Sequence, residues 1–256
     1  MPRSRLRLAL VGLVATLLTA CSANSGADRQ AGDPVTASEA EVLAQLLHRN
    51  FGKGGADFVV TAPFGEDALM TLTGDVDFRQ SVGRAEMLTT FGDGRPEDTR
   101  TVYFSRRELW FSDVAGLPAA LADDGAPEAA HLRRPMAGTD SSGAPPLLDV
   151  VLEMVLNLAA RTADDPRAFL DGDCTWEGQR SIDSRLASLF RLPEGRTVAV
   201  GAVDDLLTQF GATLTPEKLE VTVTLSDHGS RRVDLPSEAE TVDAADHPDV
   251  AAQFGI

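Results

Sequence analysis

Two cysteines and four histidines have the widest chemical repertoire of any side chains in this 256-residue chain. The histidines, His48, His131, His228 and His247, stand far apart, with none of the short spacings that set two ligands on one element for a metal. No Gly-x-Ser-x-Gly run marks a nucleophile elbow. Gly52-Lys53-Gly54-Gly55 offers glycines and a cation to a phosphate but lacks the Gly-Lys-Ser/Thr ending, and it reads as a helix stop running into a strand. Asp171 and Asp173, with Glu177 beyond, place carboxylates close enough to converge on calcium. Ile182, however, stands where the twelve-residue calcium loop needs its glutamate, so a polar turn is expected. Carboxylate pairs are no signal in a chain with 39 Asp and Glu. No catalytic residue, metal site or cofactor is expected, and the chain is not expected to be an enzyme.

Cys21 has a more specific setting. Arg3, Arg5 and Arg7 precede an uncharged apolar run over residues 8–20, the layout of a secretory signal peptide: a cationic start, an apolar stretch, then small residues. The run is about 13 residues long, too short to span a hydrocarbon core of ~30 Å as a stable helix. It ends in Leu17-Leu18-Thr19-Ala20-Cys21, which resembles a bacterial lipobox, where the cysteine thiol takes a diacylglyceryl group and becomes the first residue of the mature protein. The expectation is a signal peptide over residues 1–20, lipidation at Cys21 and a flexible tether over residues 21–35. A single domain should follow over residues 36–256, held by acyl chains on the extracytoplasmic face of the cell membrane. Loss of the three leader arginines would take the formal charge from −16 to −19. So acidic a surface repels phosphate backbones and anionic headgroups, which argues against nucleic-acid partners and against purely electrostatic docking on a membrane. With Cys21 acylated, Cys174 has no partner for a disulfide and reads as a small apolar filler.

The pattern of the remaining chain predicts the elements. Thr36 and Ser38, with Glu39 and Glu41 three residues on, cap a helix whose apolar face is Val42, Leu43, Leu46 and Leu47, ending at Gly52. The period then becomes two. Residues 57–61 form a strand; residues 68–78 form another, with Ala68, Met70, Leu72, Gly74, Val76 and Phe78 on one side and Thr71, Thr73, Asp75 and Asp77 on the other. Strands over residues 84–91, 100–104 and 108–111 continue an antiparallel meander. Residues 123–146 read as an irregular loop, leading from Pro145 and Pro146 into a broadly apolar helix to about residue 162. A strand is expected around Trp176 and a short one over residues 197–200. Val203, Leu206, Leu207 and Phe210 then fall at helical spacing, with Gly211 as the stop. Residues 220–225 alternate as a strand, Asp227-His228-Gly229 reads as a hairpin turn, and residues 231–235 run back. The tail beyond Pro236 reads as peripheral.

The lipobox, the capped helix, the Thr71-Leu72-Thr73-Gly74-Asp75-Val76-Asp77-Phe78 strand, the Glu108-Leu109-Trp110 strand and the run from Val221 through Gly229 together resemble the LprG/LppX type of actinobacterial lipoprotein, and more distantly the LolA/LolB carriers. The resemblance covers about two-thirds of the mature chain. It implies an α+β fold, a strongly curved antiparallel half-barrel covered by α-helices around an apolar cavity. It also implies a lipid or lipoglycan cargo, moved between membranes or presented at the surface, and leaves any envelope transporter partner unidentified. The chain departs from the pattern in its long loop over residues 123–146 and in having one tyrosine, Tyr103. On this reading the cavity wall would be Met70, Leu72, Val76, Phe78, Met87, Phe91, Val102, Phe104, Val151, Val155, Val221, Val223 and Leu225. Residue by residue, the same positions read more readily as a solid packed core, and with it an anchored interaction or structural module of the envelope that holds no ligand.

Overall fold

The computed structural model describes residues 29–65, 67–137, 145–215 and 218–256, so Cys21, the leader and residues 21–28 lie outside the described residues. Its frame is one large, open, almost wholly antiparallel sheet whose thirteen strands run in the order β1-β8-β9-β10-β11-β12-β2-β3-β4-β5-β6-β7-β13. The strands are β1 (Asp33–Pro34), β2 (Gly55–Phe64), β3 (Ala68–Asp77), β4 (Val82–Phe91), β5 (Asp98–Ser105), β6 (Glu108–Ser112), β7 (His131–Pro135), β8 (Thr175–Ile182), β9 (Arg185–Arg191), β10 (Thr197–Gly201), β11 (Leu207–Leu214), β12 (Leu219–Ser226) and β13 (Thr241–Asp243). Only β13 runs parallel to its neighbour, β7. The helices are α1 (Ala37–Lys53), α2 (Leu117–Asp123), α3 (Leu147–Leu156), α4 (Arg167–Leu170) and α5 (Pro248–Phe254).

Alternation decides which face of the sheet is dry. Ala56, Phe58, Val60 and Ala62 of β2, Met70, Leu72 and Val76 of β3, and Val221, Val223 and Leu225 of β12 are buried in one cluster with Leu43 and Leu46 of α1 and Val151, Leu152 and Val155 of α3. The opposite face carries polar pairs such as Asp57 facing Asp75, with Arg84 opposite Asp75 on the next strand. One wet face and one covered face is the arrangement that period-two patterning demands of an antiparallel sheet.

The capped helix forms as its sequence requires. The Thr36 hydroxyl accepts from the Glu39 N–H at 3.3 Å while the Glu39 carboxylate accepts from the Thr36 N–H at 2.8 Å. The helix runs past the expected glycine and stops at Lys53, where Gly54 takes the left-handed conformation (φ 101°) and returns its N–H to the Asn50 carbonyl. Residues 29–35, expected in the tether, are held on the domain. Arg29 pairs with Glu39 and lies over the Trp176 ring at 4.8 Å, and β1 pairs with β8. Burial pushes the Glu39 carboxyl up, but the bonds from Arg29 and Thr36 outweigh it and hold the group below the ordinary glutamate range.

Several expectations fail, each for a packing reason. The helix expected after Gly201 is a turn followed by β11. Val203 is 98% exposed, Asp204 accepts from the Leu206 N–H to tighten the turn, and residues from Leu207 pair on both sides, with β10 and β12. A short apolar run fits either period, and here two ladders of hydrogen bonds select the strand. Gly211 is no helix stop; it lies in β11, where a Cβ would come within 2.5 Å of the Thr197 hydroxyl. The strand expected to run back over residues 231–235 does not form, because both edges of β12 are already taken by β11 and β2. Instead Gly229 donates to the Gly55 carbonyl and Arg231 to Asp57.

The expected loop over residues 123–146 contains β7, whose Leu132 enters the core. The expected peripheral tail supplies β13 along β7 and α5, whose Val250 and Ala251 are buried. The apolar helix is also shorter than its pattern, ending at Leu156. The chain then crosses α1, with Ala160 donating to the Leu47 carbonyl and Asp164 to that of Ala44.

α3 is pinned to β7 by a buried ion pair. Arg134 donates to both oxygens of Asp149 at 2.8 and 2.6 Å, the Ala137 N–H adds a third bond, and Asp149 is fully buried. Arg134→Ala leaves that carboxylate without its counter-charge and should cost ~3–5 kcal/mol. A denaturant titration reads the loss, and a change below ~1 kcal/mol would class the pair with weak surface bridges.

On the wet face, burial and then the facing Asp57 charge push the Asp75 carboxyl above the ordinary range, against Arg231 and Arg84. A carboxyl whose folded pKa is raised weakens the fold once ionised, so stability falls as pH rises through the folded pKa. Asp75→Asn should therefore raise the melting temperature at pH ~7, and the gain should shrink as pH falls and vanish by pH ~3, below the unfolded-state pKa of ~3.9. A lower melting temperature at neutral pH would contradict the assignment.

Candidate functional site

An apolar cavity of about 630 Å3 lies under α1 at the β10–β11 side of the sheet. α1 contributes Leu43, Leu46 and Leu47, the end of α3 contributes Met154 and the following Leu158, and α4 contributes Ala168 and Phe169. Val198 of β10 and Leu207, Phe210 and Ala212 of β11 form the sheet side, while Cys174, Leu192 and Pro193 complete the lining. The polar residues there, Asn157, Asp164, Asp165 and Arg196, are all exposed and border the mouth. The size falls within the ~300–1,000 Å3 typical of small-molecule sites, and such a lining favours an apolar ligand held by burial with few directional contacts.

The thirteen residues expected to form the cavity wall all lie elsewhere. Met70, Leu72, Val76, Phe78, Met87, Val102, Phe104, Val151, Val155, Val221, Val223 and Leu225 belong to the packed core, where Phe104 meets Phe58 edge to face at 6.1 Å between ring centres. Phe91 lies outside that cluster, half-buried, with the Arg95 guanidinium 4.1 Å from its ring centre. None of the thirteen lines the cavity. Cys21 lies outside the described residues.

Sequence reasoning misses the wall for identifiable reasons. The spacing of Leu207 and Phe210 suggests a helix, and their role follows only once β11 is recognised as a strand. Residues 165–170 carry a readable signal, Asp165 ahead of Pro166, a helix start in which the Asp165 carboxylate accepts from the Arg167 N–H at 2.9 Å.

Cys174 sits in the wall, 4% exposed, and burial pushes its thiol above the ordinary range. It fills space as expected, but beside an opening. The four histidines do not gather, and no three His, Cys, Asp or Glu side chains among the described residues are placed to hold a metal. His131 and Ser112 meet at 2.5 Å, a contact hidden from sequence by the unrecognised β7, yet Ser112 is buried and the contact ties β6 to β7. Gly52 to Gly55 form the end of α1 and the entry to β2, and residues 171–173 a turn in which Cys174 donates to the Gly172 carbonyl.

No family model and no curated protein matches the chain. Among solved structures, an uncharacterized conserved protein from Thermus thermophilus is 12% identical, covers 80% of this chain and 99% of its own, and superposes with a TM-score of 0.40. A LolA superfamily protein from Nitrosomonas europaea is 11% identical over 81% of this chain and 98% of its own, with a TM-score of 0.24. Likenesses this slight carry no argument about what the cavity holds, which rests on its own lining.

That lining makes Cys174 a reporter. In a Cys21→Ala protein, where Cys174 is the one remaining thiol, alkylation at pH ~8 should be several-fold slower than for a free cysteine, since both access and thiolate population are reduced. An apolar molecule in the cavity should slow it further. Alkylation at the rate of a free thiol would put Cys174 outside an enclosed wall.

Proposed function

We propose that this chain is an extracytoplasmic lipoprotein, anchored to the cell membrane through acylated Cys21, that carries or presents a lipid or other hydrophobic ligand in the cavity beneath α1. The carrier part of the reading rests on one observation, the cavity of about 630 Å3 walled by Leu43, Leu46, Leu47, Met154, Phe169, Leu207 and Phe210, and the anchor on the run ending at Cys21. Binding would be driven by removal of apolar surface from water. Burying on the order of 200 Å2 of ligand is worth ~5 kcal/mol at ~25 cal/mol per Å2, before association costs are subtracted. No covalent step is involved, so cargo would pass to and from another envelope component by exchange.

A second reading, an anchored interaction module without ligand, draws on the dense packing of the residues that the sequence assigns to the cavity wall. The two part on ligand content. Native mass spectrometry of the Cys21→Ala protein secreted from a bacterial host should show lipid-sized adducts that leave on denaturation. Ala212→Trp, which pushes an indole into the cavity from β11, should abolish both the adducts and the uptake of a fluorescent fatty-acyl probe while keeping the circular dichroism of the parent. A bare mass together with no probe uptake by the parent would reject the carrier reading and leave the interaction module. The anchor is tested separately: Cys21→Ala should move the protein from the membrane pellet to the soluble fraction, and continued sedimentation would reject lipidation as its hold on the membrane.

A further inference from the structure

A second space of about 630 Å3 lies on the other side of the segment that follows α3, and its chemistry is the reverse of the first. Arg79 from the β3–β4 turn, Arg106 and Arg107 from the β5–β6 turn and Arg161 from the segment after α3 line it, joined by Ser81 and Ser105. We propose that this bowl is a binding site for a phosphate-type oxyanion, supplied either as a free phosphate or as the phosphate of a lipid headgroup. The inference does not rest on the carrier reading.

Charge placement is the first argument. In a chain with 39 acidic against 23 basic residues, eleven arginines among the described residues have a carboxylate within 4.0 Å. None of the four in the bowl belongs to any such pair among the described residues, and no Asp or Glu belongs to its lining. Four like charges drawn together by separate elements repel one another, and an anion between them relieves that repulsion. The nearby carboxylate of Asp77 faces under the turn, 4% exposed, where it accepts from the backbone N–H groups of Arg79 and Gln80 and from the Gln80 side chain.

Pre-organisation is the second. Arg106 donates to the Asn157 amide oxygen at 3.0 Å and to the Leu156 carbonyl at 3.3 Å, and Arg79 to the Gly52 carbonyl at 2.7 Å. The Arg161 guanidinium lies 5.7 Å from the centre of the Phe51 ring. Each is steadied by a neutral partner that leaves its charge uncompensated, and a guanidinium has five N–H donors, so donors remain for a ligand. Several guanidinium forks lining one space match a tetrahedral, multiply charged oxyanion better than a planar carboxylate, and charge-assisted bonds of this kind are the strong ones. The acidic surface elsewhere repels anions, so attraction would be local to the bowl.

The test uses the Cys21→Ala chain with two probes. Calorimetric titration with inorganic phosphate and pyrophosphate reads a free anion; flotation with vesicles of phosphatidylcholine, with and without phosphatidylglycerol, reads a headgroup. Binding in either arm should weaken about tenfold or more in Arg79→Ala/Arg106→Ala, which removes two charged donors, and should fall with added salt. Arg180→Ala on β8, an exposed arginine outside the bowl, should leave it unchanged. Phosphate binding alone identifies a soluble anion as the ligand, and binding only to the phosphatidylglycerol vesicles identifies a headgroup. No millimolar binding in either arm, or binding that survives the double substitution in a protein with unchanged circular dichroism, would overturn the proposal.

Discussion

The bidentate contact between Arg134 and the buried Asp149 sets where α3 lies, and much of the molecule follows from that placement. The carboxylate sits in the first turn of α3, near the positive end of the helix, and takes three donors in a site without solvent. The guanidinium also lies 5.5 Å from the Phe111 ring, so the pair is locked into the core from the sheet side. Such a pair contributes little net attraction once desolvation is counted, but its geometry is demanding, and α3 has few other places to stand. From there α3 presents Val151, Leu152, Val155 and Leu156 to the sheet, and its last turn and the residue after it reach both the apolar cavity, through Met154 and Asn157, and the arginine bowl, through the acceptors that hold Arg106.

The covered face of the sheet is packed along one part and open along another. The strands from β2 to β7 fill their covered face with Phe58, Leu72, Phe104, Leu109, Phe111 and Leu132, all fully or nearly fully buried. At the β9–β11 side the covered face carries Phe190, Val198, Val200, Leu207 and Phe210, and the sheet wall of the cavity is formed by Val198, Leu207, Phe210 and Ala212. α1 crosses above, and its Leu43, Leu46 and Leu47 form the other side of the opening. The walls are mainly Leu, Phe, Met and Val, with the polar residues Asn157, Asp164, Asp165 and Arg196 at the mouth, so an apolar occupant suits the interior better than ordered water. The packed part and the open part belong to one sheet, and what differs is which helix lies over which strands.

That placement is also where sequence reasoning reaches its limit. Thr36 with Glu39, the alternation over residues 68–78 and that over residues 219–226 are legible because local chemistry and the final contacts agree. An apolar face is therefore identified correctly as a face, while its division into core and cavity depends on which helix lies over which strand. Leu207 and Phe210 fit a helix and a strand equally well by spacing, and only the ladders from β10 and β12 decide. Likewise Arg133 and Arg134 lie in a stretch that reads as a loop, since a five-residue strand with one core side chain, Leu132, has almost no periodic signal. Its partners, β6 and the distant β13, are what make it a strand.

The arginines carry the same lesson into electrostatics. Counted by sequence, the chain is uniformly acidic, and its net charge of −16 predicts repulsion of any anion. Folding sorts the basic residues into two populations that the count cannot separate. Most neutralise a neighbour, as Arg133 does in bridging Asp243, Glu238 and Glu108, which hold its guanidinium pKa far up. The four in the bowl are instead brought together by two hairpin turns and the segment leaving α3, elements well separated in sequence. Surface charges more than a Debye length away, ~8 Å at physiological ionic strength, are largely screened. Local sign therefore governs at the bowl, and a chain that repels anions as a whole still presents to them a region of opposite charge beside an apolar cavity, with the Arg106–Asn157 bond as the link between the two.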